Sequence, residues 1–470
     1  MADIEIKLNG DMLDSSIYAA EDEALRRKIQ EGREARRKKR KRKLLIERCV
    51  FLGIIALIII LIIWAIVGAI NSNNEKARIA EEEAALLEKT NEEALKEAER
   101  LAAGYDYDAA IEKIKGCKGY EQNTDMVNAI KKYEETKATM VRYKDVNSIT
   151  HVFFHTLVAD TALAFDGDYK EAGYNQYMTT ISEFNRMMEE MYARGYVLVD
   201  IHDIAKEVID ENGNTKFVPG DIYLPEGKIP FVMSQDDVSY YDYMAGDGFA
   251  TKIVIDENGM PTCEYVQPDG TVTYGDYDLV PLLESFIQKH PDFSYRGARA
   301  ALAITGYNGV LGYRTCPTEE GYNPDDIEKA KKVAERMVEC GWTFASHTWG
   351  HQKYGLISFE KLKEDATKWD TEVKPILGDV DVLIYANGYD IAGIESYSGN
   401  KYEFLKSLGF KYYCNVDSSK AWVQIRDGYV RQGRRNLDGY RMWYSPKKLD
   451  DLFNVEDVWD NTRPTPVPPI

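Results

Sequence analysis

At 470 residues the chain is too long for one ordinary domain, so two or three units are expected. Apolar residues make up 44%, enough for a sizeable core, and six widely spaced cysteines with no CxxC pair argue against a disulfide framework or a thiolate zinc site. The formal charge of −19 conceals an asymmetry: residues 1–48 hold 14 Lys/Arg and 10 Asp/Glu, a net of +4, which leaves −23 for the remainder.

Eight consecutive cations, Arg36 to Lys43, stand before residues 49–70, a run of 22 without a charge. That length predicts one transmembrane helix, and no polar face interrupts it as a buried core helix would require. The basic arm, residues 1–48, is expected in the cytoplasm and everything after about residue 71 outside the cell, with the helix uncleaved. The cations suit anionic head groups and are what topology demands, so no nucleic-acid partner is expected.

Residues 71–147 read as a helical stalk. An Ala/Glu/Lys/Leu stretch over 75–103 has a narrow apolar stripe at Leu87, Ala94, Ala98 and Leu101, and Gly104 interrupts it. Two further helices are predicted over 105–114 and 125–143. The Gly-Tyr-Asp-Tyr-Asp-Ala-Ala-Ile stretch from Gly104 is similar to tetratricopeptide hairpins, although one unit is no repeat. The stalk is also a candidate surface for a protein partner.

From about Ser148 strands and helices alternate, the signature of βα units. Strands are predicted over 150–158, 196–201, 229–233, 300–305, 342–345, 380–385 and 412–416. Helices are predicted over 177–193, 323–340, 358–377 and 402–408. Residues 244–278, with Asp-Glu-Asn-Gly and Gln-Pro-Asp-Gly turns, read as an inserted hairpin-like excursion. Residues 460–470 form a Pro-rich, extended tail.

Two motifs carry chemistry. Ser234-Gln-Asp-Asp237 and Ser346-His-Thr-Trp-Gly-His351 each follow a buried strand, where an α/β barrel builds its site. One carboxylate and two imidazoles make a three-ligand metal set with an open position, and the second carboxylate is a ready general base. His347 and His351 stand four apart, which on a helical turn would point both rings at one ion. His151 and His155 share that offset, so it is the nearby Asp-Asp that distinguishes the first pair.

On these residues, the chain from about Ser148 to about Trp459 resembles the polysaccharide deacetylases of the NodB-homology type, carbohydrate esterase family 4. The family's Thr-Phe-Asp-Asp-Gly motif is partly matched by Ser234-Gln-Asp-Asp-Val238, and His347-Thr-Trp-Gly-His351 fits its His-Ser/Thr-x-x-His motif fully. The resemblance implies a distorted (β/α) barrel over 148–459. It implies Asp236 as general base, Asp237, His347 and His351 as ligands of zinc or another divalent transition metal, and Thr348 as a brace of the ligand loop.

The sequence departs from the family twice. Where Arg-x-Pro-Tyr-Gly should follow the strand at 380–385, it reads Ile384-Tyr-Ala-Asn-Gly388, so a backbone N–H near Asn387 is left to stabilise an oxyanion. The motif arginine is missing there; Arg434 or Arg435 is a substitute, with Arg435 chosen. No histidine follows His351, and Val152-Phe-Phe-His155 resembles the arrangement of relatives that take the acid from the first strand, so His155 is expected to protonate the leaving amine. Asp417 is expected to contact substrate, and Tyr240, Tyr241, Tyr307 and Tyr389 are candidate sugar platforms. His151, His202 and His290 read as structural or surface residues. The expected activity is N-deacetylation of peptidoglycan or a poly-N-acetylglucosamine-type polymer by a membrane-anchored enzyme, with a catalytically inactive glycan-binding scaffold as the alternative.

Overall fold

The computed structural model describes residues 15–417 and 419–470. The chain divides into two compact units, Met1–Thr90 and Asn91–Ile470. Helix α1 (Ser15–Ala103) fills the described part of the first and runs into the second. Within it lies a segment long and apolar enough to cross a membrane. Its Ile, Leu and Val side chains from Leu44 to Ile70 are all exposed, so no protein core satisfies them.

In the second unit, the last turns of α1 pack with α2 (Tyr107–Lys115) and α3 (Thr124–Lys137). Asp106 caps α2 and Asn123 caps α3 by accepting from their first backbone amides. Ala94, Ala98, Ile111, Ile114 and Tyr133 share one apolar cluster with Val232, Ala303, Ala345 and Val430 of the barrel described next. These helices therefore belong to the barrel's core rather than standing apart from it.

Seven parallel strands close a barrel: β1 (Thr150–Phe154), β2 (Ile229–Gln235), β3 (Ala301–Ile304), β4 (Thr343–Ser346), β5 (Val382–Ile384), β6 (Tyr412–Val416) and β7 (Tyr429–Asn436). Each pairs with the next in sequence, and β7 returns to β1. The crossovers carry α4 (Ile181–Ala193), α5 (Leu279–Lys289), α6 (Asp325–Glu339), α7 (Phe359–Glu372) and α8 (Asn400–Ser407). α4 starts at a capping box, Thr180 with Glu183. The insertion after β2 is a three-stranded antiparallel sheet, one strand more than a hairpin.

Alternation along the strands decides what faces inward. Register aligns His151 with Val232 and Arg434, and Phe153 with Ser234, all on the inner face. Val152, Met233 and Arg435 form the adjacent outward row. Strand β7 was not anticipated. Its Arg-Gln-Gly-Arg-Arg segment reads as solvent-facing, yet seven of its eight residues are buried, because paired polar groups fill this part of the barrel.

The tail at 460–470 is a strap. Arg463 forms a fully buried ion pair with Glu183 of α4, and Val467 is buried. Backbone carbonyls of Pro464 and Pro468 accept from Asn175 and Gln176.

Candidate active site

The chemistry-bearing residues gather at the C-terminal end of the strands. Asp236 and Asp237 follow β2, His347 follows β4, and His155 follows β1. The Asp236 N–H donates to Phe154 O and the His347 N–H to Ile304 O, so ladder hydrogen bonds carry the strand positions into the site. Asp237, Thr348, His351 and Asn387 all adopt left-handed backbone with φ of 52–64°. Non-glycine residues there are strained, and such strain concentrates at functional sites. The segment between His347 and His351 is consequently a loop. The helical turn expected from their spacing is absent, and the left-handed turns at Thr348 and His351 bring the rings to 5.0 Å instead.

Ligand atoms of Asp237, His347 and His351 all lie within 4.8 Å of one another. His347 Nε2 is 3.9 Å and His351 Nε2 3.8 Å from Asp237 Oδ1. The buried His347 ring donates from Nδ1 to Ile384 O at 2.9 Å, which leaves Nε2 as a bare lone pair. Burial lowers the pKa of His347 and keeps it neutral, although Asp236 and Asp237 pull the other way. A lone pair thus faces carboxylate oxygens, an arrangement a divalent cation satisfies and the donor set suits.

Asp237 is held from the side by Tyr241, whose hydroxyl donates to Oδ1 at 2.5 Å. Burial works against its charge, but His351, His347 and His155 around it hold its carboxyl below the usual range. Tyr241 also stacks on Tyr307, with centroids 4.7 Å apart, and on Tyr243 at 5.6 Å.

Asp236 lies beside the cluster and is paired with Arg434. Nη1 donates to Oδ1 at 2.6 Å and Nη2 to Oδ2 at 3.0 Å, a bidentate fork. Burial opposes ionisation of Asp236, yet Arg434 and His347 keep its carboxyl well below the usual carboxylate range. It is therefore ionised across the physiological range. Arg435, the arginine chosen from sequence, points out of the barrel and pairs with Asp451 at 2.8 Å. The reason is parity: adjacent strand residues face opposite sides, and Arg434 has the inner position.

His155 donates from Nδ1 to Tyr177 O at 3.2 Å, and its Nε2 is 4.0 Å from Asp237 Oδ2. Thr348 Oγ1 accepts from the Gln352 N–H at 2.7 Å, across the ligand loop. The Asn387 side-chain amide lies 3.4 Å from His351 Nδ1. Asp417 follows β6, and its carboxylate accepts from the Ser419 N–H and hydroxyl, so it caps its own turn and is not among the clustered groups. Tyr240 is buried beneath the site on Asp278, not open to a sugar, whereas Tyr389 is 39% exposed.

Sequence reasoning named Ser234 only as the start of its motif and read His151 as structural or surface; both lie below the Asp236–Arg434 pair inside the barrel. Their shared inner-face register with Arg434 was the available signal, but it becomes visible only once β7 is known to be a strand.

No protein-family profile and no curated protein matches the chain. Among solved structures it is similar to the Streptococcus pyogenes deacetylase PplD in complex with acetate, at 13% identity and a TM-score of 0.36, covering 67% of this chain and 99% of that one. Likeness this distant decides nothing about chemistry.

Proposed function

We propose that the chain is a metal-dependent N-deacetylase acting on N-acetylglucosamine-containing polysaccharide, of the peptidoglycan or poly-N-acetylglucosamine type. One observation carries this reading. An ionised, arginine-held carboxylate, Asp236, stands against a three-ligand cluster, Asp237, His347 and His351, at the open end of a parallel barrel. The two sequence motifs that resemble the deacetylases supply these same groups.

Asp237, His347 and His351 would hold the ion, zinc on the chemistry of one carboxylate and two imidazoles. Bound there, it supplies Lewis acidity, polarising an acyl oxygen and lowering the pKa of a water. Asp236 takes the proton of the attacking water, because Arg434 keeps it ionised and it stands 3.9 Å from His347 Nε2, beside the cluster. His155 approaches Asp237 with Nε2, and its Nδ1 bond to Tyr177 O orients the ring. We assign it the protonation of the departing amine. Thr348 braces the loop between the two histidines. The Asn387 side-chain nitrogen stands 3.4 Å from His351 Nδ1, beside the ligand ring, and the Asn387 backbone is assigned to the acyl oxygen. Asp417 is assigned to substrate at the rim.

The long apolar helix is the proposed anchor in the cell membrane, with the basic arm cytoplasmic and the barrel outside. The missing motif arginine favoured a binding-only scaffold. Arg434 on Asp236 supports the enzyme instead, since a binder has no need of an ionised base beside a metal-ligand cluster.

The test is acetate release by the full chain in detergent from N-acetylglucosamine oligomers and from peptidoglycan fragments, with zinc added and after chelation. Zinc-dependent release that disappears in His347→Ala is expected. Silence on every acetylated glycan, with metal bound, would sink the enzymatic reading.

A further inference from the structure

Below Asp236 a line of hydrogen bonds descends the inside of the barrel. Arg434 Nη1 reaches Ser234 Oγ at 3.2 Å, Ser234 Oγ meets His151 Nε2 at 2.9 Å, and His151 Nδ1 meets Gln432 Oε1 at 3.1 Å. Gln432 Nε2 then donates to Ile149 O at 3.0 Å. Ser234, His151, Gln432 and Arg434 are each at most 1% exposed.

The proton positions follow from the two ends. A guanidinium only donates, so Ser234 Oγ accepts from Arg434. A carbonyl only accepts, so the Gln432 amide nitrogen faces Ile149 and its oxygen faces His151. His151 therefore carries its proton on Nδ1, its Nε2 accepts, and the Ser234 hydroxyl donates to it. Every bond in the line points the same way. A second proton on His151 would deprive the hydroxyl of its acceptor and put a buried cation next to Arg434. Burial first, and Arg434 second, push the histidine well below its ordinary pKa, consistent with a permanently neutral ring.

The line matters because the guanidinium has few fixed points. Its Nε has no hydrogen-bond partner among the described residues, and the Phe153 ring 4.2 Å beneath it offers a face without direction. Among the described residues, Ser234 is the one acceptor, apart from the carboxylate it must hold, that fixes its orientation. We propose that Ser234 and His151 are positioning residues that hold Arg434, and through it Asp236, in the orientation proton abstraction requires, a role that rests on Asp236 being the base as proposed above.

Two measurements on the full chain in detergent test this. With zinc bound, Ser234→Ala should lower kcat on N-acetylglucosamine oligomers by about tenfold or more, a fraction of what a general base contributes. KM and metal content should stay within about twofold of wild type, and Ser234→Thr, which keeps the hydroxyl, should recover most of the loss. Nitrogen-15 spectra of labelled histidine, six residues in all, should contain one ring protonated on Nδ1 and bare on Nε2 at neutral pH whose signals vanish in His151→Phe.

An active wild type whose Ser234→Ala variant keeps kcat within twofold overturns this inference alone. So does a loss that threonine fails to repair, or a His151 ring found protonated on Nε2. A wild type inactive on every glycan overturns the deacetylase reading and the catalytic role of the line together, while the spectra still report whether its hydrogen bonds run as derived.

Discussion

Replacing Arg434 by Met keeps the length and apolar stem of the side chain and removes its charge. Arg434 is 0% and Asp236 5% exposed, so the variant leaves a carboxylate buried without its fork. Breaking a buried pair from one side costs about 3–5 kcal/mol, because the desolvation penalty of the remaining ion is no longer offset. Spread over Asn91–Ile470, the unfolding entropy is about 0.8 kcal/mol/K, so the thermal midpoint should fall by about 4–6 °C. The sign of the pH dependence is determined by Asp236. Its folded pKa lies below the unfolded value of about 3.9, so the stability it contributes is present above that pH and lost as pH falls through the folded pKa. The gap between wild type and variant should therefore be widest near neutrality and narrow below about pH 4. The assay is calorimetry in detergent after chelation, so that no ion substitutes for the lost cation. Adding Asp236→Asn to the variant should recover most of the midpoint. A loss under about 1 kcal/mol, or a double variant no more stable than the single one, would refute this account of the buried pair.

Three further outcomes follow from the geometry. A Cβ at Gly306 would sit 2.1 Å from Trp349 Cδ1, and that indole is tethered by Glu372 between the two histidines, so Gly306→Ala should cost about 1–3 kcal/mol and weaken zinc affinity about tenfold. Unfolding and metal titration check this, and unchanged values in both would contradict it. His347→Ala should lose the bound ion by elemental analysis while the barrel stays folded; one zinc retained per chain would exclude it as a ligand. At the other end of the barrel, burial disfavours a charge on His202, but Asp200 and Asp381 outweigh it and raise its pKa to about 10. Its contribution is complete below about pH 6.5 and lost as pH rises through about 10. His202→Gln should accordingly match wild-type stability at high pH and fall below it near pH 6; a constant offset across that range would count against the ion pairs. Salt should shrink the effect, since the imidazole is 41% exposed.

What sequence determines here is whatever depends on local pattern. Twenty-two uncharged residues make a helix that must find apolar surroundings wherever it lies, and the apolar runs before Ser234 and before Ser346 make strands because buried parallel strands have that composition. Asp236, Asp237, His347 and His351 were legible for the same reason, since each sits within two to six residues of a strand that had to be buried. Three things waited for the tertiary structure. The first is β7, whose polar sequence gives no hydrophobic period, because its inner face is satisfied by ion pairing and hydrogen bonds rather than by apolar burial. The second is the choice of Arg434 over Arg435, which hangs on a one-residue register that only strand pairing decides. The third is the directed line from Arg434 to Gln432, which draws on three strands distant in sequence and forms only because closing the barrel sets β1, β2 and β7 side by side.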